Sequence, residues 1–169
     1  LINLTSSKNH DTHHSNMDKT GTTRQLAILA PVPEEHLLSW QKEGEQAKVA
    51  FGSMAFEVFR QADELRGDKA VEVFIYASLA ENRPLNSEVS WHGLYVSHVQ
   101  SRGGRHPQGM TYRPPSTANE KPRWAIFWEV EELQPLSSPI AIASFKGLGK
   151  KSNYPSRFTP EEPLLIAYP

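Results

Sequence analysis

The chain has 169 residues, 38% of them hydrophobic, which is material for one packed core and too little for two independent ones. A formal net charge of −1 excludes a global field that would drive the molecule onto nucleic acid or anionic lipid, so any electrostatic preference must come from local clusters. The absence of cysteine excludes disulfide staples, thiolate zinc sites and a cysteine nucleophile.

No apolar run reaches the roughly 20 residues of a spanning helix, and the first residues lack the apolar core of a signal peptide. A cytoplasmic protein with no membrane partner is expected. Residues 1–24 are dominated by Ser, Thr, Asn, Asp, His and Lys, and read as a disordered tail that cannot offset its ordering entropy by burial. His10, His13 and His14 lie close together there, but a tail has no second shell to hold metal ligands, so no metal site is assigned. A single domain is expected over residues 25–169.

Residues 25–30 (Gln-Leu-Ala-Ile-Leu-Ala) predict a first strand, stopped by Pro31 and Pro33, which cannot donate to a ladder. Residues 34–41 predict a short helix with Glu34 and Glu35 in its first turn and a face of Leu37, Leu38, Trp40 and Gln41. Ser53 then reads as the N-cap of a second helix, in which Ala55, Val58, Phe59, Ala62 and Leu65 recur at helical spacing and which Gly67 closes. Met54 and Phe56 flank that stripe and are expected in the core.

Two β-branched and aromatic runs between Asp68 and Gln100, separated by a polar turn over 81–86, predict consecutive strands of one sheet. Val71, Val73 and Ile75 alternate with Phe74 and Tyr76, so the second face either lines a cavity or forms another core layer. In the following strand Trp91, Gly93, Tyr95 and Ser97 share a face. Gly93 leaves room there for a neighbouring backbone or a flat ligand.

From 101 to 122 the composition shifts to Gly, Pro, Arg and Thr. Arg102, Arg105, Arg113, Lys121 and Arg123 outnumber Glu120, with His106 and Tyr112 among them, a basic patch able to hold phosphates or an ordinary solvated loop. Residues 124–133 predict a central strand with Trp124, Ile126, Trp128 and Val130 on one face, followed by a turn over 134–139 and a short apolar element over 140–145. Residues 146–152 are not a phosphate loop, because Ser144 holds the first glycine position and Lys151 follows Gly149-Lys150. Lys146, Lys150, Lys151 and Arg157 nevertheless form a second basic cluster. Thr159-Pro160-Glu161-Glu162 predicts a capped helical turn.

This order of elements resembles the EVE branch of the PUA-like superfamily, which is related to the ASCH and YTH domains. The resemblance rests on residues 28–35, on Gly67-Asp68 followed by residues 73–78 with Tyr76 and Ser78 matching, on Trp124 and Val130-Glu131, and on residues 157–162. Two stretches depart from the family pattern: Ala30-Pro31 replaces a Lys-Ser pair, and residues 51–54 (Phe-Gly-Ser-Met) replace a Gly-Val-Arg-Asn-type turn. The resemblance implies an α+β fold, a twisted, partly closed β-barrel with flanking short helices, and a concave pocket for a modified base. On that reading Phe51, Tyr76, Trp91 and Trp128 would supply stacking faces, Ser53 and Ser78 would meet the base edge, and Arg102, Arg105, Arg113, Lys150 and Arg157 would hold phosphates. The implied role is a non-catalytic module binding RNA or DNA, with no cofactor and no assigned catalytic residue. Two rival readings remain: an ASCH-like RNA-processing hydrolase using His92 or His98 with a carboxylate such as Glu129, and a protein-interaction domain presenting its aromatics and Pro-rich loop. Nothing in the sequence sets an oligomeric state.

Overall fold

The computed structural model of the protein describes residues 21–42, 48–80 and 87–169. In chain order these form β1 (Ala27–Pro33), α1 (Glu34–Lys42), β2 (Val49–Ser53), α2 (Phe56–Arg66), β3 (Val71–Ser78), β4 (Glu88–Gln100), a 3₁₀ turn (Pro115–Thr117), β5 (Ile126–Ala141), a second 3₁₀ turn (Ile142–Ser144) and β6 (Leu164–Ile166). The expected histidine-bearing tail up to residue 20 and the polar turn over 81–86 lie outside the described residues.

The strands form one six-stranded sheet in the order β2-β5-β4-β3-β1-β6. The fold is therefore a mixed α+β one. β1 and β3 run parallel, with Ile28 opposite Val73, and a parallel pair needs a long crossover, supplied here by α1, β2 and α2. All other pairs are antiparallel. Among the described residues no ladder joins β2 to β6, so the sheet is open.

β1 is apolar on both faces because both are covered. Leu26, Ile28, Ala30 and Val32 join Val71, Val73, Ile75, Trp91, Tyr95 and Trp128 in the larger core, closed by Leu37 and Trp40 of α1 and by Phe59 and Ala62 of α2. Ala27 and Leu29 point the other way, into a smaller core with Phe74, Val89, Ile142, Phe145 and Ile166. Tyr76 packs against this second core, so the aromatic face of β3 is a core layer. Gly93 serves close packing: a Cβ there would collide with Val130 of the adjacent strand and sit 3.3 Å from the Glu131 carbonyl oxygen.

Several elements differ from their expected form, each through tertiary context. β1 continues through both prolines, which lie two residues apart and so place their missing donors on one edge; β6 pairs only with residues 27–29 and leaves that edge open. Residues 49–53 form a strand rather than a helix lead-in, paired with β5 through Phe51 and Trp128. Ser53 does not cap α2, which starts at Phe56; its Oγ accepts from the Ala55 N–H instead. Met54 and Phe56 are 61% and 52% exposed, and Leu38 and Leu65 also face outward, so none of them is core.

β5 runs on through the expected turn over 134–139. Its far half has β4 on one side only, which tolerates Pro135 opposite Trp91, and Glu132 in a left-handed conformation (φ 53°) accompanies the register shifts that bend the pair. Residues 159–162 form no helical turn. Ahead of β1 the Thr23 N–H donates to the Ala70 carbonyl at 2.9 Å.

Candidate functional site

Gly52 has no side chain, and the Trp124 indole occupies the space where one would be. A Cβ on Gly52 would lie 2.5 Å from Trp124 Nε1 and closer still to the adjoining ring carbons. The indole Nε1 donates to Glu120 Oε1, which also accepts from Arg113 Nη2 at 2.8 Å. The Arg123 guanidinium lies over the same ring, 4.1 Å from its centroid. Beneath it, Phe51 meets Trp128 with ring centroids 5.0 Å apart, and Trp128 stacks on Phe59 of α2 at 5.4 Å.

Phe59 apart, these groups wall a cleft of about 550 Å³. Its other sides are Pro31, Val32 and Pro33 at the end of β1, Ser78 and Leu79 at the end of β3, and residues 160–163 leading into β6. Leu79 is 84% exposed and held at φ 55°, an uncommon conformation for a leucine, on the rim beside exposed Met54.

Of the residues singled out from sequence, Phe51, Ser53, Ser78 and Trp128 line this cleft, whereas Tyr76 and Trp91 do not. Phe51, Trp91 and Trp128 all belong to the larger core, at 4%, 5% and 1% exposure. Arg113 also lines the cleft, but it is buried: Nη1 donates to the Ala50 carbonyl at 2.8 Å, Nη2 binds Glu120, and the guanidinium covers the Phe127 ring at 4.8 Å. With the Ala50 N–H donating to the Tyr112 carbonyl at 2.7 Å, Arg113 covers the outer edge of β2. Arg105 and Lys121 flank a smaller hollow of about 150 Å³ that shares Arg113 and Glu120 with the cleft. Arg102 exchanges backbone hydrogen bonds with Arg105. Neither Lys150 nor Arg157 lines the cleft.

Sequence reasoning missed Trp124, Gly52, Glu120, Arg123, His36 and the four prolines as wall residues. One signal was present: a glycine beside Phe51 in an apolar run marks a place where something large approaches the backbone.

His36, at the edge of the cleft, bonds through Nδ1 to Ser116 Oγ at 2.7 Å, and Ser39 Oγ donates to the same hydroxyl at 2.9 Å, tying α1 to the 3₁₀ turn. Burial pushes the imidazole's pKa down, although Glu120 and Glu35 pull it up, so the ring is neutral at neutral pH.

Glu129 is the buried carboxylate of the fold. Burial alone would raise its pKa, but hydrogen bonds from Ser97 Oγ at 2.8 Å, His106 Nε2 at 3.3 Å and Lys48 Nζ at 3.2 Å hold it below the ordinary value. The Gln108 N–H donates to His106 Nδ1, so the neutral ring carries its proton on Nε2 and donates to Glu129. The group therefore pins the basic loop to the sheet. His92 bonds Glu72 at 3.1 Å, and His98 pairs with Asp63 at 3.0 Å, so each histidine is held by a carboxylate other than Glu129. Among the described residues no three His, Asp or Glu side chains gather as metal ligands, and no helix is long and apolar enough to cross a membrane.

The cleft is thus bordered by partly exposed Trp124 and by the buried rings of Phe51 and Trp128, with hydroxyls and carboxylates at its margins, next to a loop carrying arginine and lysine. No family model, curated protein or solved structure matches the chain.

Proposed function

We propose that the protein is a non-catalytic binding module that takes one modified base, flipped from RNA or DNA, into the cleft between β1 and β2. The observation that carries this reading is the cleft of about 550 Å³ with Phe51, Trp124 and Trp128 in its walls. That volume is within the range of ~300–1,000 Å³ usual for small-ligand sites. Base–aromatic stacking contributes about 1–3 kcal/mol per base, comparable to the few kcal/mol that unstacking a base costs. Ser53 and Ser78 offer hydroxyls to the base edge, and exposed Arg105, Lys121 and Arg123 on the adjoining loop offer charge to the phosphates.

A PUA-like barrel is the corresponding reading of the fold, and the register supports it. Phe51 lies opposite Trp128, Trp128 opposite His98, and Tyr95 opposite Val71, so the path through the sheet from Phe51 reaches β3 three residues before Val71. The bridge between Thr22 and Ala70 puts that level just ahead of Thr22, before β1 begins. Yet Phe51 shares the cleft with Pro31 and Pro33, at least nine residues further along than Thr22. Tilted strands curling toward a barrel meet at such an offset.

Fluorescence polarisation of single-stranded RNA and DNA carrying one modified base, compared with unmodified strands over a range of salt, tests the function. The expected result is tighter binding of one modified strand, a preference that survives added salt and disappears in Trp124→Ala. Equal affinity for all strands, lost uniformly as salt rises, would leave only phosphate attraction and end the base-reading proposal.

A further inference from the structure

The charge inside the cleft has the opposite sense to the charge along the loop beside it. Three carboxylates line it, Glu120, Glu161 and Glu162, against two guanidiniums, Arg113 and Arg123. Both guanidiniums are already engaged: Arg113 is buried between the Ala50 carbonyl and Glu120, and Arg123 lies on Trp124. His36 adds no positive charge at neutral pH.

The carboxylates are less committed. Glu120 takes both of its donors on Oε1, and among the described residues its Oε2 accepts no hydrogen bond. Glu161 and Glu162 sit exposed between buried Pro160 and Pro163, with no ion pair among the described residues. The prolines fix this acidic bend at the cleft's side. Aromatic faces carry the negative end of the ring quadrupole, so Phe51, Trp124 and nearby carboxylates favour the same kind of guest. Arg123 illustrates it, since a flat, delocalised cation rests over Trp124 at 4.1 Å.

We infer that the base selected by the cleft carries a positive charge, an N-alkylated cationic nucleobase of the 1-methyladenine kind, held between the aromatic walls and Glu120, Glu161 and Glu162. The inference rests on the base-reading function proposed above and specifies its ligand. The incoming ring takes the place of the Arg123 guanidinium on Trp124, which releases Arg123 toward the phosphate of the same nucleotide. A neutral methylated ring of equal size gains the stacking but not the attraction to the carboxylates.

The test uses two isomeric ligands. Oligonucleotides identical except for one 1-methyladenosine, cationic at neutral pH, or one N6-methyladenosine, neutral, are titrated against the full chain, with a trimethyllysine peptide in the same panel. The cationic isomer is expected to bind at least about tenfold tighter, in line with a cation–π contact strengthened by partial desolvation. The double substitution Glu161→Gln with Glu162→Gln is expected to erase most of that preference, and an unchanged urea midpoint reports that the variant is folded. Raising the pH until the 1-methyladenosine cation loses a proton from its exocyclic amino group should erase the preference in the unmodified protein.

Equal or tighter binding of the neutral isomer overturns the charge inference and leaves the base-reading function standing. Binding of neither isomer overturns the charge inference, and uptake of the trimethyllysine peptide in that case would identify a protein ligand and overturn the base-reading function as well.

Discussion

Gly52→Ala is the sharpest probe of how the cleft is built, because the same methyl group should change sign in its effect depending on one other residue. The backbone at Gly52 is ordinary extended strand, where alanine is favoured over glycine by about 0.5–1 kcal/mol. Against that, the new Cβ would lie 2.5 Å from Trp124 Nε1, at least about 1 Å inside normal contact distance. The indole must leave its seat, losing a hydrogen bond to the Glu120 carboxylate of about 1.5–3 kcal/mol and a partly exposed contact with Arg123 of about 0.5–1 kcal/mol. Set against the strand gain, the expected net loss is about 2 kcal/mol, within the usual range for overpacking. In a Trp124→Ala background the obstacle is gone, so Gly52→Ala should stabilise by about 0.5 kcal/mol or more. Urea denaturation of the four proteins in this double-mutant cycle gives the coupling directly, expected at about 2–3 kcal/mol. An equal cost for Gly52→Ala in both backgrounds would mean that Trp124 does not rest on β2, and the aromatic wall would have to be redrawn.

Acidification should destabilise the protein in two stages. The folded state holds the His36 pKa below its ordinary 6.5 through burial, so below that pH the unfolded chain binds the proton first and stability falls; His36→Ala should remove this stage from a series of urea midpoints against pH. Burial works against Glu129, but its hydrogen bonds hold its pKa below the ordinary 4.5; the stability they contribute above that value is lost as pH drops through the lower folded pKa, a stage that Ser97→Ala should weaken. Arg113→Ala should cost about 3 kcal/mol, because it leaves Glu120 and the Ala50 carbonyl without their buried partner, whereas exposed Lys150→Ala and Arg157→Ala should each cost under about 0.5 kcal/mol. Thermal melting separates the two classes, since about 3 kcal/mol is worth roughly 6–12 °C in a chain of this size. Similar small shifts for all three would show that Arg113 does not hold the edge of β2.

What the sequence revealed and concealed follows from how local each signal is. β3 and β4 were legible because period-two alternation is written in the residues themselves, and α1 because Pro33, Glu34 and Glu35 mark its start. β2 was hidden by its five-residue length and by Gly52, and the far half of β5 by prolines that are forbidden only where both edges are paired. That condition depends on neighbours far away in the chain. The candidate site shows the same division. Phe51, Trp91 and Trp128 could all be picked as aromatic strand residues and all three are buried in the same core, but Trp91 lies seven residues along β4 from the position opposite Trp128, away from the cleft. Alternation assigns a face; it does not say which stretch of that face borders a cleft. Arg113 illustrates the converse error, since a loop arginine read as a phosphate contact proved to be a buried tie for β2.

The opening itself has a cause in the chain. β6 covers β1 only as far as Leu29, and the outer edge of β2 is taken up at Ala50 by Tyr112 and Arg113. Any ladder closing the gap between these edges would need backbone donors from the segments that face it. Those segments carry Pro31 and Pro33 on one side and Pro160 and Pro163 on the other, all four lining the cleft and none with an N–H to give. A seam so short of backbone donors is poorly sealed by hydrogen bonding, and apolar walls are left facing the cleft. The prolines keep their carbonyl acceptors, which means that the backbone at these four positions can accept but not donate. That is the same polarity as Glu120, Glu161 and Glu162, and a guest rich in positive charge or N–H donors matches both.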